Sequence, residues 1–89
     1  MFNGIIYNQG LVRNIRTTSG GATIEVYATN KFTKNKLGSS ISCDGVCLTL
    51  TKKKGKSLYF YLSRETLKRS NFKIIKKGQY INLENSLIF

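Results

Sequence analysis

Two runs of strict alternation constrain this chain more than anything else in it. Residues 46–51 and 57–63 each place an apolar side chain at every second position, with a lysine-rich stretch, 52–56, turning between them around Gly55. Successive strand side chains point to opposite faces, so such runs predict half-buried strands rather than helices. Val46, Leu48, Leu50, Leu58, Phe60 and Leu62 form one face, which must be buried. Cys47, Thr49, Thr51, Tyr59, Tyr61 and Ser63 form the other, which is small, polar and aromatic. Together the two runs read as a hairpin.

The flanking sequence extends the same pattern. Residues 2–15 carry Ile5, Tyr7, Leu11, Val12 and Ile15, interrupted by Gly4 and Gly10, which predicts a bent or bulged first strand. Residues 17–21 are polar and glycine-rich and predict a turn. Ala22, Ile24 and Val26 then alternate against Thr23, Glu25 and Tyr27, a strand with one wet face. Residues 30–37 suit a helical turn anchored by Phe32 and Leu37, and 39–43 an extended segment. Asp44-Gly45 is a tight-turn dipeptide, because glycine accepts positive φ and aspartate can bond its own backbone. Ser63 is placed to cap a short helix over 64–70 anchored by Leu67. Lys76-Lys77-Gly78 turns into a last strand, 79–83, with Tyr80 and residues 87–89 expected to close the core. Short strands at close spacing with brief helical interludes predict an antiparallel barrel, since closure removes exposed strand edges.

Composition bounds the rest. Eighty-nine residues predict a single domain, 1–89. A core of that size supplies only about 3–5 kcal/mol, so association with another copy is expected. No window approaches the ~18 apolar residues of a membrane span, and the opening Met1-Phe2-Asn3-Gly4 lacks the layout of a secretory signal, so the expected address is cytoplasmic. Cys43 and Cys47 lie too close to staple a long loop, and with no histidine the chain has no zinc-ligand pattern; reduced thiols are the plain reading. The net charge of +11 invites a nucleic-acid reading. Its lysines gather at 31–36, 52–56 and 73–77, each read as a connection between elements, so solvated loops are preferred to a phosphate-tracking stripe. An oligonucleotide-binding barrel, with Tyr59 and Tyr61 stacking bases, ranks as a remote alternative.

The outer face of the hairpin is where chemistry would sit. Small hydroxyls and a thiol let a planar ring approach the backbone, whose N–H and C=O groups can read a uracil-like edge. By pattern alone, Thr and Tyr there are no more than good strand formers, Cys47 an inert small side chain, and Glu65 a first-turn carboxylate facing a helix dipole. Three blocks go further. Met1-Phe2-Asn3-Gly4-Ile5-Ile6 resembles the MFTGI opening of riboflavin synthase chains. Residues 40–50, SISCDGVCLTL, resemble that family's S-x-x-x-N-G-x-C-L-T-V stretch. Glu65-Thr66-Leu67 with Ser70-Asn71-Phe72 is similar to its E-T-L-x-x-T-N-L.

The resemblance implies a six-stranded antiparallel Greek-key barrel with one or two short helices, the lumazine-binding domain. The family carries two such barrels per chain and assembles three chains; only the first barrel is matched here. It implies dismutation of two 6,7-dimethyl-8-ribityllumazine molecules, one giving a four-carbon unit to the other, to yield riboflavin and a ribitylamino-pyrimidinedione, with no metal or redox cofactor. Carried over by position, Gly4, Ile5 and Ile6 would form one wall; Cys47, Leu48 and Thr49 would meet the ring edge; and Tyr61, Leu62, Ser63, Arg64, Glu65 and Thr66 would meet ring and ribityl chain. Ser40, Cys47 and Thr49 are the residues expected to take part in the chemistry. Tyr61 stands where family members often carry an acid, and Asp44 replaces the usual Asn. The family's second barrel, which contributes a histidine, has no counterpart here. Three arrangements stay open: part of a longer enzyme, a single barrel that pairs two copies of its own site as a dimer, or a lumazine and riboflavin binder without catalysis. None involves a membrane.

Overall fold

The computed structural model describes residues 9–28 and 30–85. Six strands appear: β1 (Gln9–Thr18), β2 (Gly21–Tyr27), β3 (Ser40–Cys43), β4 (Val46–Lys54), β5 (Ser57–Ser63) and β6 (Tyr80–Asn85). All pairings are antiparallel and close a barrel in the order β1-β2-β5-β4-β3-β6. Strands β3, β4 and β5 follow one another as neighbours while β6 returns beside β3, which is the Greek-key order. Helix α1 (Asn30–Thr33) joins β2 to β3. Helix α2 (Arg64–Arg69) and a 3-10 turn (Asn71–Ile74) join β5 to β6.

Alternation built the core as expected. Ala22, Ile24, Val26, Leu48, Leu50, Leu58, Phe60 and Leu62 are buried, joined by Val12, Ile41, Cys43, Ile81 and Leu83. Phe32 of α1, Phe72 of the 3-10 turn and Ile75 just after it pack into the same cluster, with Val46 and Leu67 partly buried against it. Gly10 has a spatial role: a Cβ there would collide with the Val26 side chain, so β1 crosses the core more closely than any larger residue allows. The bulge expected in the first strand falls at Arg13, between the pairs Val12↔Val26 and Asn14↔Glu25. Asp44 and Gly45 both take positive φ, 50° and 86°, as a two-residue hairpin turn requires.

Several expectations are corrected. Strand β1 runs to Thr18 and β2 begins at Gly21, so the turn is only Ser19-Gly20 rather than 17–21. Leu37 is 59% exposed and does not anchor that segment, whereas Phe32 is fully buried. Tyr80 is 60% exposed, because Ile81 and Leu83 take the inward parity of β6 and leave Tyr80 facing out. Asp44 accepts the backbone N–H of Asn82, at 2.7 Å, and so ties the turn to β6. The stretch 87–89, like the segment 2–8, lies outside the described residues.

The lysine run at 52–54 is strand, not loop. Leu50 pairs with Phe60 and Lys52 with Tyr59, so Thr51 is a one-residue bulge, its hydroxyl donating to the Tyr59 carbonyl at 3.1 Å. The bulge shifts the phase and turns Lys53 toward the inner side, opposite Leu58. Its ammonium donates to the carbonyls of Thr33 (3.1 Å) and Asn35 (2.6 Å), closing the end of α1. Lys53→Met is therefore expected to destabilise by about 1–2 kcal/mol, since charge-assisted bonds are lost at a part-buried site. Lys54→Met, at an exposed neighbour, should stay within about 0.5 kcal/mol in the same thermal melts.

Candidate functional site

Strand β3 lies against β4 with Ser40 opposite Thr49, Ile41 opposite Leu48 and Ser42 opposite Cys47. The Leu50 N–H donates to the Ser39 carbonyl. Hydrogen-bonded and non-hydrogen-bonded pairs alternate in an antiparallel ladder, so Ser40/Thr49 and Ser42/Cys47 are non-hydrogen-bonded pairs, whose side chains approach most closely. The structure thus brings Ser40, Cys47 and Thr49 together on one outer face, all three exposed. The half-buried Ser42 joins them and leads on to Glu84 of β6 across the next pairing. Ser42 and Glu84 escaped the sequence reading. Ser42 had a signal in its shared parity with Ser40, whereas Glu84 becomes a neighbour only through barrel closure.

The same alternation gives the site its second feature. Among the described residues the β4–β5 ladder runs from Lys54↔Ser57 to Leu50↔Phe60 and ends there. Below Leu50, β4 is held by β3, and the backbone N–H and C=O of Cys47 and Thr49 point away from β3, toward the 61–63 end of β5. Among the described residues no ladder pair joins 47–49 to 61–63, and along this seam Leu48 and Leu62 are buried beneath the outer face.

At the far side of the seam, Ser63 caps α2 as expected: its hydroxyl accepts the Thr66 N–H at 3.1 Å and meets Thr66 Oγ1 at 3.0 Å. Glu65 lies in the first turn and pairs with Arg69 at 3.0 Å. Tyr61 and Arg64 reach elsewhere. The Tyr61 hydroxyl donates to the Gly20 carbonyl at 2.8 Å, the Arg64 backbone N–H donates to the same carbonyl at 3.2 Å, and the Arg64 guanidinium donates to the Ser19 carbonyl. Gly4, Ile5 and Ile6 lie outside the described residues. On the neighbouring outer face, Lys52 covers the Tyr59 ring at 5.1 Å and Arg13 covers Tyr27 at 5.2 Å. Tyr59 and Tyr61, the rings considered for base stacking, are thus both engaged within the protein.

The two thiols differ. Cys47 is exposed, whereas Cys43 is fully buried, and burial, then the adjacent Asp44 carboxylate and Cys47, push its thiol from 9.0 up to about 12. Alkylation of the native protein at pH 8 is expected to add one group, on Cys47, and a second only after denaturation, as peptide mass mapping would show. A thiol raised on folding stays protonated where the unfolded thiol ionises. Its contribution to stability is complete below pH 9 and is lost as the pH rises toward about 12. Among the described residues no three His, Cys, Asp or Glu side chains gather as a metal site would need, and no helix is long and apolar enough to cross a membrane.

A closed six-stranded antiparallel barrel in Greek-key order defines a class of small β domains. The chain belongs to the lumazine-binding domain family, whose model matches residues 3–86. It is 39% identical to the riboflavin synthase of Buchnera aphidicola subsp. Baizongia pistaciae over 90 residues, covering 100% of this chain and 42% of that protein. It is 40% identical to riboflavin synthase of Photobacterium phosphoreum, covering 99% and 41%. The chain spans about two fifths of the length of these curated relatives. Among solved structures, LumP complexed with riboflavin superposes with a TM-score of 0.83 at 21% identity, over 96% of this chain and 46% of that one. LumP complexed with 6,7-dimethyl-8-(1'-D-ribityl) lumazine does so with a TM-score of 0.83 over 97% and 49%. These likenesses show the same fold.

Proposed function

We propose that this barrel is a functional half of a riboflavin synthase, binding 6,7-dimethyl-8-ribityllumazine in the seam between β4 and β5. The observation that carries the reading is the family match over almost the entire chain, with the matched C-L-T stretch, Cys47-Leu48-Thr49, forming one edge of that seam. The reaction passes a four-carbon unit from one lumazine to another and gives riboflavin and a ribitylamino-pyrimidinedione. The lumazine C7 methyl is itself acidic, so the protein's task is chiefly to hold two rings face to face, which is catalysis by proximity. Ser40, Thr49 and Cys47 are the residues placed for proton traffic on that face, and no metal or redox group enters the scheme. One seam holds one ring, so the second ring must come on another barrel, from a second copy or from a longer chain; a two-fold axis would set two equal seams opposite each other. Residues 1–89 act as one domain in this reading. Neither Cys43 nor Cys47 forms a disulfide, which suits a reducing cytoplasm.

The test has two stages. Titrating the protein into riboflavin or the ribityllumazine should quench or shift ligand fluorescence; unchanged emission at high protein concentration would refute the binding reading. Incubation with ribityllumazine should then yield riboflavin. Binding without product would instead identify a non-catalytic lumazine-binding barrel.

A further inference from the structure

Tyr61 and Arg64 both turn to the Ser19-Gly20 turn, although they stand among the residues matched to ligand contacts. Three donors converge there on two carbonyls: the Tyr61 hydroxyl and Arg64 N–H on Gly20, and the Arg64 guanidinium on Ser19. The turn is shaped to fit. A Cβ on Gly20 would approach the Tyr61 hydroxyl to 3.3 Å, and one on Gly21 would collide with the Leu62 carbonyl and approach the Tyr61 hydroxyl to 3.1 Å. The bare Gly20-Gly21 backbone therefore lies directly on the β5–α2 junction, where Gly21 pairs with Ser63. The same junction is one wall of the seam, and Ser63 there caps α2.

We propose that Tyr61 and Arg64 are positioning residues for the ligand site, clasping the β1–β2 turn to the β5–α2 junction so that the wall formed by residues 61–66 keeps one conformation. The inference rests on the proposed flavin and lumazine site, to which it adds a specificity consequence. The single phenolic proton of Tyr61 and an Nη2–H of the Arg64 guanidinium go to backbone carbonyls rather than to the hydroxyls of a ribityl chain. The clasp therefore acts on the ring and the chain of the ligand alike, by holding the wall rather than by reading the polyol.

The test uses Tyr61→Phe, Arg64→Gln and the double variant. Affinities are measured by fluorescence for riboflavin and for a flavin carrying a methyl in place of the ribityl chain. Amide exchange of Gly20 and Gly21 is followed without ligand. Tyr61→Phe should weaken both flavins by one factor, about fivefold for a neutral hydrogen bond, and Arg64→Gln should weaken both by one larger factor, about tenfold or more, since its bond is charge-assisted. The double variant should lose less than the product of the singles, since the two act through one contact. Exchange at Gly20 and Gly21 should quicken in every variant. A loss confined to riboflavin would overturn the proposal in favour of direct contact with the ribityl chain. Unchanged affinity and exchange would overturn the clasp itself. If the parent protein binds neither flavin while exchange quickens in the variants, the clasp is real but the flavin-site reading fails, and the positioning role fails with it.

Discussion

Truncation of Phe60 to alanine is expected to cost about 3–5 kcal/mol, the usual penalty for emptying a fully buried aromatic site. Phe60 is 0% exposed and sits opposite Ile24 on β2 and Leu50 on β4, so its ring bridges three adjacent strands from inside the barrel. A chain of this length has only about 4–13 kcal/mol of stability in total. The variant should lose much of its urea midpoint, with an unchanged slope if the transition remains cooperative. A loss below about 1 kcal/mol would mean that the core can collapse around the vacancy.

Phe60 also illustrates what the sequence made legible. Its inward direction follows from parity alone, as it does for Leu48, Leu50, Leu58 and Leu62, and parity needs no knowledge of partners. The failures share a cause. Leu37 and Tyr80 are apolar enough to suggest burial, but whether each points inward depends on which neighbours already fill the core, Phe32 in one case and Ile81 with Leu83 in the other. Lysines at 52–54 read as loop because charge opposes burial. No local pattern announces that an ammonium will cross to the carbonyls of Thr33 and Asn35.

Cys47→Trp should weaken ligand binding strongly while leaving the fold in place. The Cys47 side chain is exposed on the outer face, so an indole there displaces no core atom, and stability should change by little more than about 0.5 kcal/mol. The same indole would lie across the seam and occupy the place of the ligand ring. Affinity for riboflavin should fall on the order of a hundredfold, about 2.7 kcal/mol. Tyr59→Ala, on the neighbouring outer face, serves as the control and should leave binding unaltered. If Cys47→Trp binds riboflavin as the parent does, the ligand lies elsewhere. In the 40–49 part of the candidate site, alternation put Cys47 and Thr49 on one face, but Ser40 came only from the resemblance, and it is the β3–β4 register that brings the three together. The 61–64 part was readable only as positions: the direction taken by Tyr61 and Arg64 is decided by a turn some forty residues earlier in the chain.

The bulge at Thr51 does more than rephase a row of lysines. It falls immediately beside Leu50↔Phe60, the last rung before β4 and β5 part, and a bulge bends and twists the strand that carries it. Remove that single extra residue and Lys52 and Lys53 keep their partners, yet the local bend and added twist that a bulge gives β4 beside this rung disappear. The ladder would then be free to zip onward, Thr49 to Tyr61 and Cys47 to Ser63. A shorter strand would make a better-knit barrel, so on the proposed reading a single irregularity in the sheet is what leaves room for a ligand.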